Sequence, residues 1–179
     1  MSTDGHGVLR DIVAPRLDVL FCGINPGLLA ARSGHHFDGR GNRFWRVLHL
    51  AGFTPRVLTP EEDASLVRFG YGITSVIQRA TAGAEELHTA DFIAARPAFE
   101  AKVARFAPRF VAFLGKVAYA ALSGQRELAW GRQPTMVGAS RVWVLPNPSG
   151  RNRAFSLEQL ADAYGKLRLA VCRDSVPAA

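Results

Sequence analysis

The sequence predicts an α/β fold, in which one domain forms a three-layer sandwich with a central, mainly parallel sheet flanked by helices. Short apolar runs alternate along the chain with segments of helical periodicity, which is the order expected of βαβ units. Three of these runs, 18–23, 109–114 and 141–145, are apolar on both faces, as buried parallel strands are. The length of 179 residues suits a single domain with a substantial core.

The segments between these runs carry helix signals. Thr59 precedes Pro60 and stands three residues before Glu62, which is typical of a helix start. Pro97 predicts a kink or a later start in the helix that begins near Thr89, because proline cannot donate to a helix ladder. We predict helices at 42–51, from Thr59, from about Thr89, at 116–121 and from the capping box Ser156–Gln159, and a short strand at 72–77.

The domain is expected to span 17–172, preceded by an arm at 1–16 and followed by a tail at 173–179. No apolar run approaches the roughly 20 residues that cross a bilayer, so no membrane partner is expected. The first residues lack the apolar core of a signal peptide, and two cysteines alone cannot make a four-cysteine metal site. We therefore expect a cytoplasmic protein.

The charge favours a polyanionic partner. There are 22 basic and 15 acidic side chains, a net charge of +7 and a pI near 10.2, and binding to phosphates releases counterions. The arginines are also clustered in two segments, one with Arg32, Arg40, Arg43 and Arg46, the other with Arg151 and Arg153. This clustering favours nucleic acid as the partner more strongly than the net charge alone does.

The first candidate site follows the first predicted strand and reads Gly23-Ile24-Asn25-Pro26-Gly27. Proline fixes one dihedral here, and glycine permits close backbone approach. Asn25 can hold a water through its carbonyl oxygen, but it is a poor base, so chemistry here must depend on positioning and electrostatics. In isolation, the same five residues also suit an ordinary turn.

The second candidate segment is 34–45, in which three glycines surround an aromatic and several cations. A base flipped out of a duplex needs an aromatic to stack on, and Phe37 is the candidate. The adjacent His35 and His36 point apart and have no nearby partners that complete a ligand set, so we expect no metal. Phe44 and Trp45 are better suited to the core.

The third segment, 147–153, is a small-residue turn followed by two arginines. Ser149 and the backbone amides can hold a phosphate, and Arg151 can enter the stack where a base has left. A solvated turn with surface arginines remains the alternative. Asn25 and Asn147 both follow carboxyl ends of predicted parallel strands, where ligands bind in open α/β sheets, so we expect them to share one pocket.

Three motifs together resemble those of the mismatch-specific uracil/thymine-DNA glycosylases, a branch of the uracil-DNA glycosylase superfamily. Their order and spacing match, and the resemblance covers roughly residues 11–172. The motifs are Gly23-Ile24-Asn25-Pro26-Gly27, then Gly39-Arg40-Gly41-Asn42-Arg43-Phe44-Trp45, then Leu145-Pro146-Asn147-Pro148-Ser149-Gly150.

The resemblance implies a uracil-DNA glycosylase-like fold and an enzyme that flips a base from duplex DNA and hydrolyses its N-glycosidic bond, leaving an abasic site, with no metal or cofactor. It implies that Asn25 orients the attacking water and that Phe37 stacks on the flipped base. Backbone groups around Ile24 and Phe37 would read the base edge, and Asn147 would help to hold the site. The DNA-binding residues would be Ser149, Gly150, Arg151, Asn152 and Arg153.

Departures from relatives refine this expectation. The fast uracil-specific branch has an acidic residue near the water and a His in the later motif, where this chain has Asn25 and Asn147. We therefore expect slower excision that depends on a weakened base pair. Arg151 resembles the thymine-processing branch, whereas Asp38 departs from the residue usual after the stacking aromatic. Asp38 and Asp91 are candidate auxiliary bases, although Asp91 also suits the first turn of a helix.

The sequence therefore predicts a monomeric, monofunctional glycosylase acting on double-stranded DNA with G·U or related mismatches, including thymine or modified cytosine opposite guanine. No lysine stands at position 25, so a Schiff-base lyase step is not expected. A non-catalytic sensor of mismatched or abasic DNA is the alternative. A hydrolase of free nucleosides is a third reading, which the basic clusters disfavour.

Overall fold

The computed structural model describes residues 8–174. Five strands and five α-helices follow one another with two 3₁₀ helices at Pro60–Phe69 and Ala84–Glu86. In chain order they are β1 Val19–Gly23, α1 Leu28–Ser33, α2 Phe44–Leu50, β2 Tyr71–Ser75, α3 Thr89–Phe106, β3 Phe110–Leu114, α4 Lys116–Ser123, β4 Gly131–Val137, β5 Ser140–Leu145 and α5 Leu157–Arg173.

The sheet has the order β2-β1-β3-β5-β4. The first four of these strands are mutually parallel, and β4 pairs with β5 in the antiparallel sense. The predicted α/β class and mainly parallel sheet are therefore confirmed. Because β1, β2, β3 and β5 point the same way, their carboxyl ends meet at one edge, and the loops that follow them share that edge.

Two apolar cores lie on opposite faces of the sheet. Alternation along β3 sends Phe110 and Ala112 to one face, and Val111 and Phe113 to the other. On the first face, the sheet packs against buried residues of α2 and α5, and on the second against buried residues of α3 and α4. Phe44 is fully buried in the first core, as its spacing predicted.

Helix α1, which has six residues, was not predicted, and two further elements differ from the sequence prediction. Strand β4 was not predicted, because it contains Pro134 and is mostly exposed at the sheet margin, where apolar alternation is not required. Helix α3 starts at Thr89 and continues through Pro97, so a later start was wrong. Pro97 lies on the exposed side of the helix. Among residues 8–174, no helix combines the length and apolar character needed to cross a membrane.

The described part of the predicted N-terminal arm packs on the domain. Ile12 pairs with Ile73 of β2 through two backbone hydrogen bonds of 2.8 Å. Asp11 forms an ion pair of 2.5 Å with Lys102 of α3 and accepts a hydrogen bond from the Thr74 hydroxyl. Residues 8–16 therefore form part of the folded unit, while 1–7 and 175–179 of the predicted arm and tail lie outside the described residues.

Candidate active site at the carboxyl edge of the sheet

A cavity of about 940 Å³ opens at the edge where the parallel strands end. Gly23 and Ile24 line it at the end of β1, Ser75 at the end of β2, Leu114 at the end of β3 and Asn147 after β5. This volume lies within the range of small-molecule sites, about 300–1,000 Å³. The two Asn-Pro elements, which are far apart in sequence, therefore contribute to one cavity.

The side chain of Asn25 is held in one orientation. Its Nδ2 donates to the carbonyl oxygen of Arg79 and to Oγ1 of Thr81, both at 2.8 Å. The Thr81 hydroxyl in turn donates to the Gly83 carbonyl, so its oxygen is the acceptor for Asn25. Among the described residues, nothing donates to Oδ1 of Asn25. The amide nitrogen is thus used by the fold, and the carbonyl oxygen remains available as an acceptor at the cavity wall.

Backbone pairing beyond β1 and β2 brings Thr81 to Asn25. After the strands end, Ile77 donates to the Ile24 carbonyl at 3.0 Å, and Thr81 donates to the Pro26 carbonyl at 3.1 Å. The segment 76–81 therefore continues alongside 23–27. This tertiary pairing, rather than any local pattern, sets the orientation of Asn25.

Phe37 lines the cavity with its ring stacked on Phe44, at a centroid distance of 3.9 Å and an interplanar angle of 26°. Its φ of 56° lies in the left-handed region, which a bulky side chain rarely adopts. The neighbouring His36 is tied down on both sides, because Asp63 accepts its backbone N–H and its carbonyl accepts the Trp45 indole N–H. The surrounding structure thus imposes the strained conformation that presents the ring.

His36 also lines the cavity and is buried. Burial lowers its pKa below the usual 6.5, against the opposing effects of a hydrogen bond to the Arg10 carbonyl and of the nearby Asp63 and Asp11 carboxylates. The imidazole is therefore neutral at neutral pH. Its Nε2 lies 2.8 Å from the Arg10 carbonyl, so the neutral ring carries its proton there and donates it. His36 thus anchors the loop that carries Phe37.

The structure gives Arg43 a different role from the one expected of the first basic cluster, whose cations favour a nucleic-acid partner. Its guanidinium donates to four carbonyl oxygens of the loop after β5, at 2.7–3.4 Å, and does not project as a free cation. The four carbonyls belong to Pro148, Ser149, Asn152 and Phe155. Five fixed N–H donors suit this task, so Arg43 fastens the second motif to the third.

Asn147 forms the turn at the start of the third motif. Its Oδ1 accepts the Ser149 backbone N–H at 2.9 Å, and its carbonyl accepts the Asn152 side-chain amide at 2.9 Å. Its Nδ2 has no acceptor among the described residues. Both oxygens of Asn147 therefore shape the loop. Asn147 itself lines the cavity, and its side-chain NH2 group remains available as a donor.

The second and third motifs meet at two glycines. A Cβ placed on Gly150 would lie 2.7 Å from the Gly41 carbonyl oxygen, closer than real Cβ atoms approach. Ser149, Gly150, Arg151 and Asn152 line the cavity, whereas Arg153 is exposed beside it. Nη1 of Arg151 lies 3.8 Å from Oε1 of Glu85 on the opposite wall.

The structure separates the two candidate auxiliary carboxylates. Asp38 lines the cavity and has no hydrogen bond or ion pair with other described residues. Asp91 is not part of the cavity wall: its Oδ2 accepts the His88 backbone N–H at 2.8 Å, and its Oδ1 lies 3.7 Å from Arg79. Asp91 therefore caps α3, in agreement with its alternative interpretation, and its role as an auxiliary base stays a prediction.

Among the cavity residues that were not predicted from the sequence as site residues are Ser75, Thr81 and His36. Ser75 is buried and lines the cavity, and its Oγ is 3.6 Å from a Cβ placed on Gly23. A serine ending a strand and a threonine in a loop carry no local signal of a site. Ser75 and Thr81 reach the cavity because β2 and the segment after it pair with β1 and the segment after it.

Within residues 8–174, no group of three or more His, Cys, Asp or Glu side chains is arranged to hold a metal ion. His35 and His36 do not converge, since the Nδ1 of His35 is 3.7 Å from Asp63 and the ring of His36 is directed to the Arg10 carbonyl.

Comparison with known proteins agrees with this fold. The chain is similar in fold to the solution NMR structure of a protein from Methanosarcina acetivorans described as a candidate uracil DNA glycosylase, with a TM-score of 0.56 and 20% identity over 89% of this chain and 96% of that one. The sequence profile of the uracil DNA glycosylase superfamily matches residues 10–168. This match covers all three motifs and every residue that lines the cavity except Leu9, and the chain therefore belongs to the uracil DNA glycosylase superfamily.

Proposed function

We propose that the protein is a monofunctional, mismatch-specific uracil-DNA glycosylase, which removes uracil opposite guanine and, in the same context, thymine or modified cytosine. The observation that carries this proposal is the state of Asn25. Both hydrogens of its amide nitrogen are bound by the protein, and its Oδ1 is left at a cavity lined by Phe37 and Asn147.

The proposed reaction begins with a flipped nucleotide in the cavity. Phe37, supported from behind by Phe44, stacks on the base, as aromatic platforms do in base-flipping enzymes. The backbone N–H groups of Ile24 and Phe37 have no acceptors among the described residues, and both residues line the cavity. They are suited to reading the base edge.

Bond breaking then places charge where the site can stabilise it. As the bond between C1′ and the base nitrogen breaks, its electron pair moves to the base, and positive charge develops on the sugar. A water held by Oδ1 of Asn25 attacks C1′, while N–H donors such as Nδ2 of Asn147 stabilise the anionic base. The water loses its proton to solvent or to a nearby carboxylate, and the departing base is later protonated.

The weakness of Asn as a base makes the rate depend on placement. An amide cannot take a proton efficiently, so the water gains position but little basicity from Asn25. We therefore propose slow excision that favours bases already weakened in a G·U or G·T pair, which are easier to flip. Asp38 is the carboxylate at the cavity that can assist, since it has no structural partner among the described residues.

DNA engagement is proposed to use the third motif from a single subunit. Ser149 and the nearby backbone amides contact a phosphate, Gly150 and Arg151 enter the gap left by the flipped base, and Asn152 and Arg153 contact the surrounding strand. A monomer suffices, because all these residues belong to one edge of one chain.

Duplexes carrying a single G·U, G·T, A·U or G·C pair test the proposal. We expect alkali-labile abasic sites with G·U first and none with G·C, and cleavage should require alkali because no lyase step is proposed. Asn25→Ala should lower the single-turnover rate by about 100-fold or more. Product formation only from single-stranded or A·U substrates would contradict mismatch specificity, and an unchanged rate in Asn25→Ala would contradict its role.

The alternative function is a non-catalytic sensor of mismatched or abasic DNA. The observation that favours it is the absence of an acidic side chain at position 25. The same duplexes separate the two, since a sensor binds G·U or abasic DNA without ever producing free uracil.

A further inference from the structure

Glu85 is an acidic residue on the wall that is proposed to face DNA. It lies in the 3₁₀ helix Ala84–Glu86 and lines the cavity opposite Arg151. Their side chains approach to 3.8 Å across the opening, and both are about three-quarters exposed. This contact therefore links the loop after β5 to the wall that positions Asn25.

The fold uses the two adjacent glutamates differently. Glu86 accepts the backbone N–H groups of Ala82 and Gly83, so its carboxylate is needed by the turn. The carboxylate of Glu85 instead folds over Gly83, where a Cβ would lie 2.1 Å from its Oε1. Its charge has no partner among the described residues other than Arg151. Glu85 thus keeps a negative charge at the cavity opening without a structural need for it.

We propose that Glu85 holds Arg151 in the DNA-free protein and so weakens binding to DNA that has a gap in its base stack. This proposal rests on the function proposed above. On an intact duplex there is no gap for Arg151 to enter, so the ion pair persists and its presence costs the complex little. When a base has left the stack, Arg151 exchanges Glu85 for the gap, so the free energy of the ion pair is subtracted from the affinity.

The test compares binding to an undamaged duplex and to the same duplex with a stable abasic-site analogue opposite guanine, over a series of KCl concentrations. The variants are Glu85→Gln, which keeps the size of the side chain, and Glu100→Gln as the matched control. Glu100 also forms an exposed pair with an arginine, Arg96, but on α3 away from the cavity. Melting temperatures of all variants establish that each is folded.

We expect Glu85→Gln to tighten binding to abasic duplex by about two- to fivefold, within the range of an exposed ion pair, and to undamaged duplex by less. Discrimination between the two DNAs should rise, whereas Glu100→Gln should behave as the parent. In an Arg151→Gln background, Glu85→Gln should lose most of its effect. Equal tightening on both duplexes, no tightening, or an undiminished effect without Arg151 would each overturn the proposal.

This readout is independent of catalysis. If the protein binds the abasic duplex selectively but releases no base from G·U DNA, the glycosylase proposal fails and the role of Glu85 can still be judged. If excision proceeds and Glu85→Gln leaves discrimination unchanged, only the role of Glu85 fails.

Discussion

The hydroxyl oxygen of Thr81 lies 2.8 Å from the side-chain nitrogen of Asn25 and accepts a hydrogen bond from it, because the same hydroxyl donates to the Gly83 carbonyl. This pair fixes which end of the amide is available at the cavity. A residue in an ordinary loop therefore controls the orientation of the residue proposed to hold the attacking water.

Thr81→Ala should lower the single-turnover excision rate by about tenfold or more, because the amide of Asn25 can then rotate away from its productive orientation. Thr81→Ser keeps the hydroxyl and should recover most of the rate. Affinity for abasic duplex should change little in both. A Thr81→Ser variant as slow as Thr81→Ala would show that the methyl group, rather than the hydrogen bond, matters.

Arg43→Ala should destabilise the fold by about 2–4 kcal/mol, since four carbonyls lose a charged donor. Arg43→Lys should recover little of this, because an ammonium cannot reproduce the geometry of the planar fork. Urea denaturation measures both. Arg40→Gln is the control, an exposed arginine in the same loop, and a similar loss there would contradict the specific role of Arg43.

Gly150→Ala should destabilise the protein by about 1–3 kcal/mol and weaken DNA binding, because the added methyl group would collide with the Gly41 backbone and separate the two loops. Gly165→Ala on α5 has open space around it and should instead stabilise by about 0.5–1 kcal/mol. Thermal unfolding of the two variants gives opposite signs if the loop contact is as tight as described.

Lowering the pH should destabilise the protein through His36. Its folded-state pKa lies below the unfolded value of 6.5 because of burial. The stability of the neutral ring is therefore fully present above pH 6.5 and is lost as the pH falls toward the folded-state pKa. The melting temperature should fall as the pH is lowered from about 7 to about 5, the interval in which histidines usually titrate. His36→Gln should flatten this dependence.

His88→Gln provides the control for the pH experiment, because His88 is exposed at the start of α3. It should keep the slope of the parent even if its melting temperature is offset. A parent protein whose melting temperature is the same at both pH values would contradict the prediction.

Much of the fold could be predicted because its signals are local. The runs 18–23, 109–114 and 141–145 are apolar without interruption, and only strands buried on both faces require that. The capping residues Ser156 and Gln159 satisfy backbone groups a few positions away, so they announce the start of α5 in the sequence itself. By contrast, β4 contains a proline and mostly exposed residues, and its strand form comes from pairing with β5.

The sequence by itself determined the α/β class, the motifs and the presence of Asn25 and Asn147 after the ends of strands. Only the tertiary structure decided what each does: Arg43 holds a loop, Asp91 caps a helix, Thr81 orients Asn25, and Glu85 faces Arg151. The reason is physical. Strand and helix signals depend on neighbours a few residues apart, whereas the direction of a side chain in the cavity depends on contacts between segments that only the folded chain brings together.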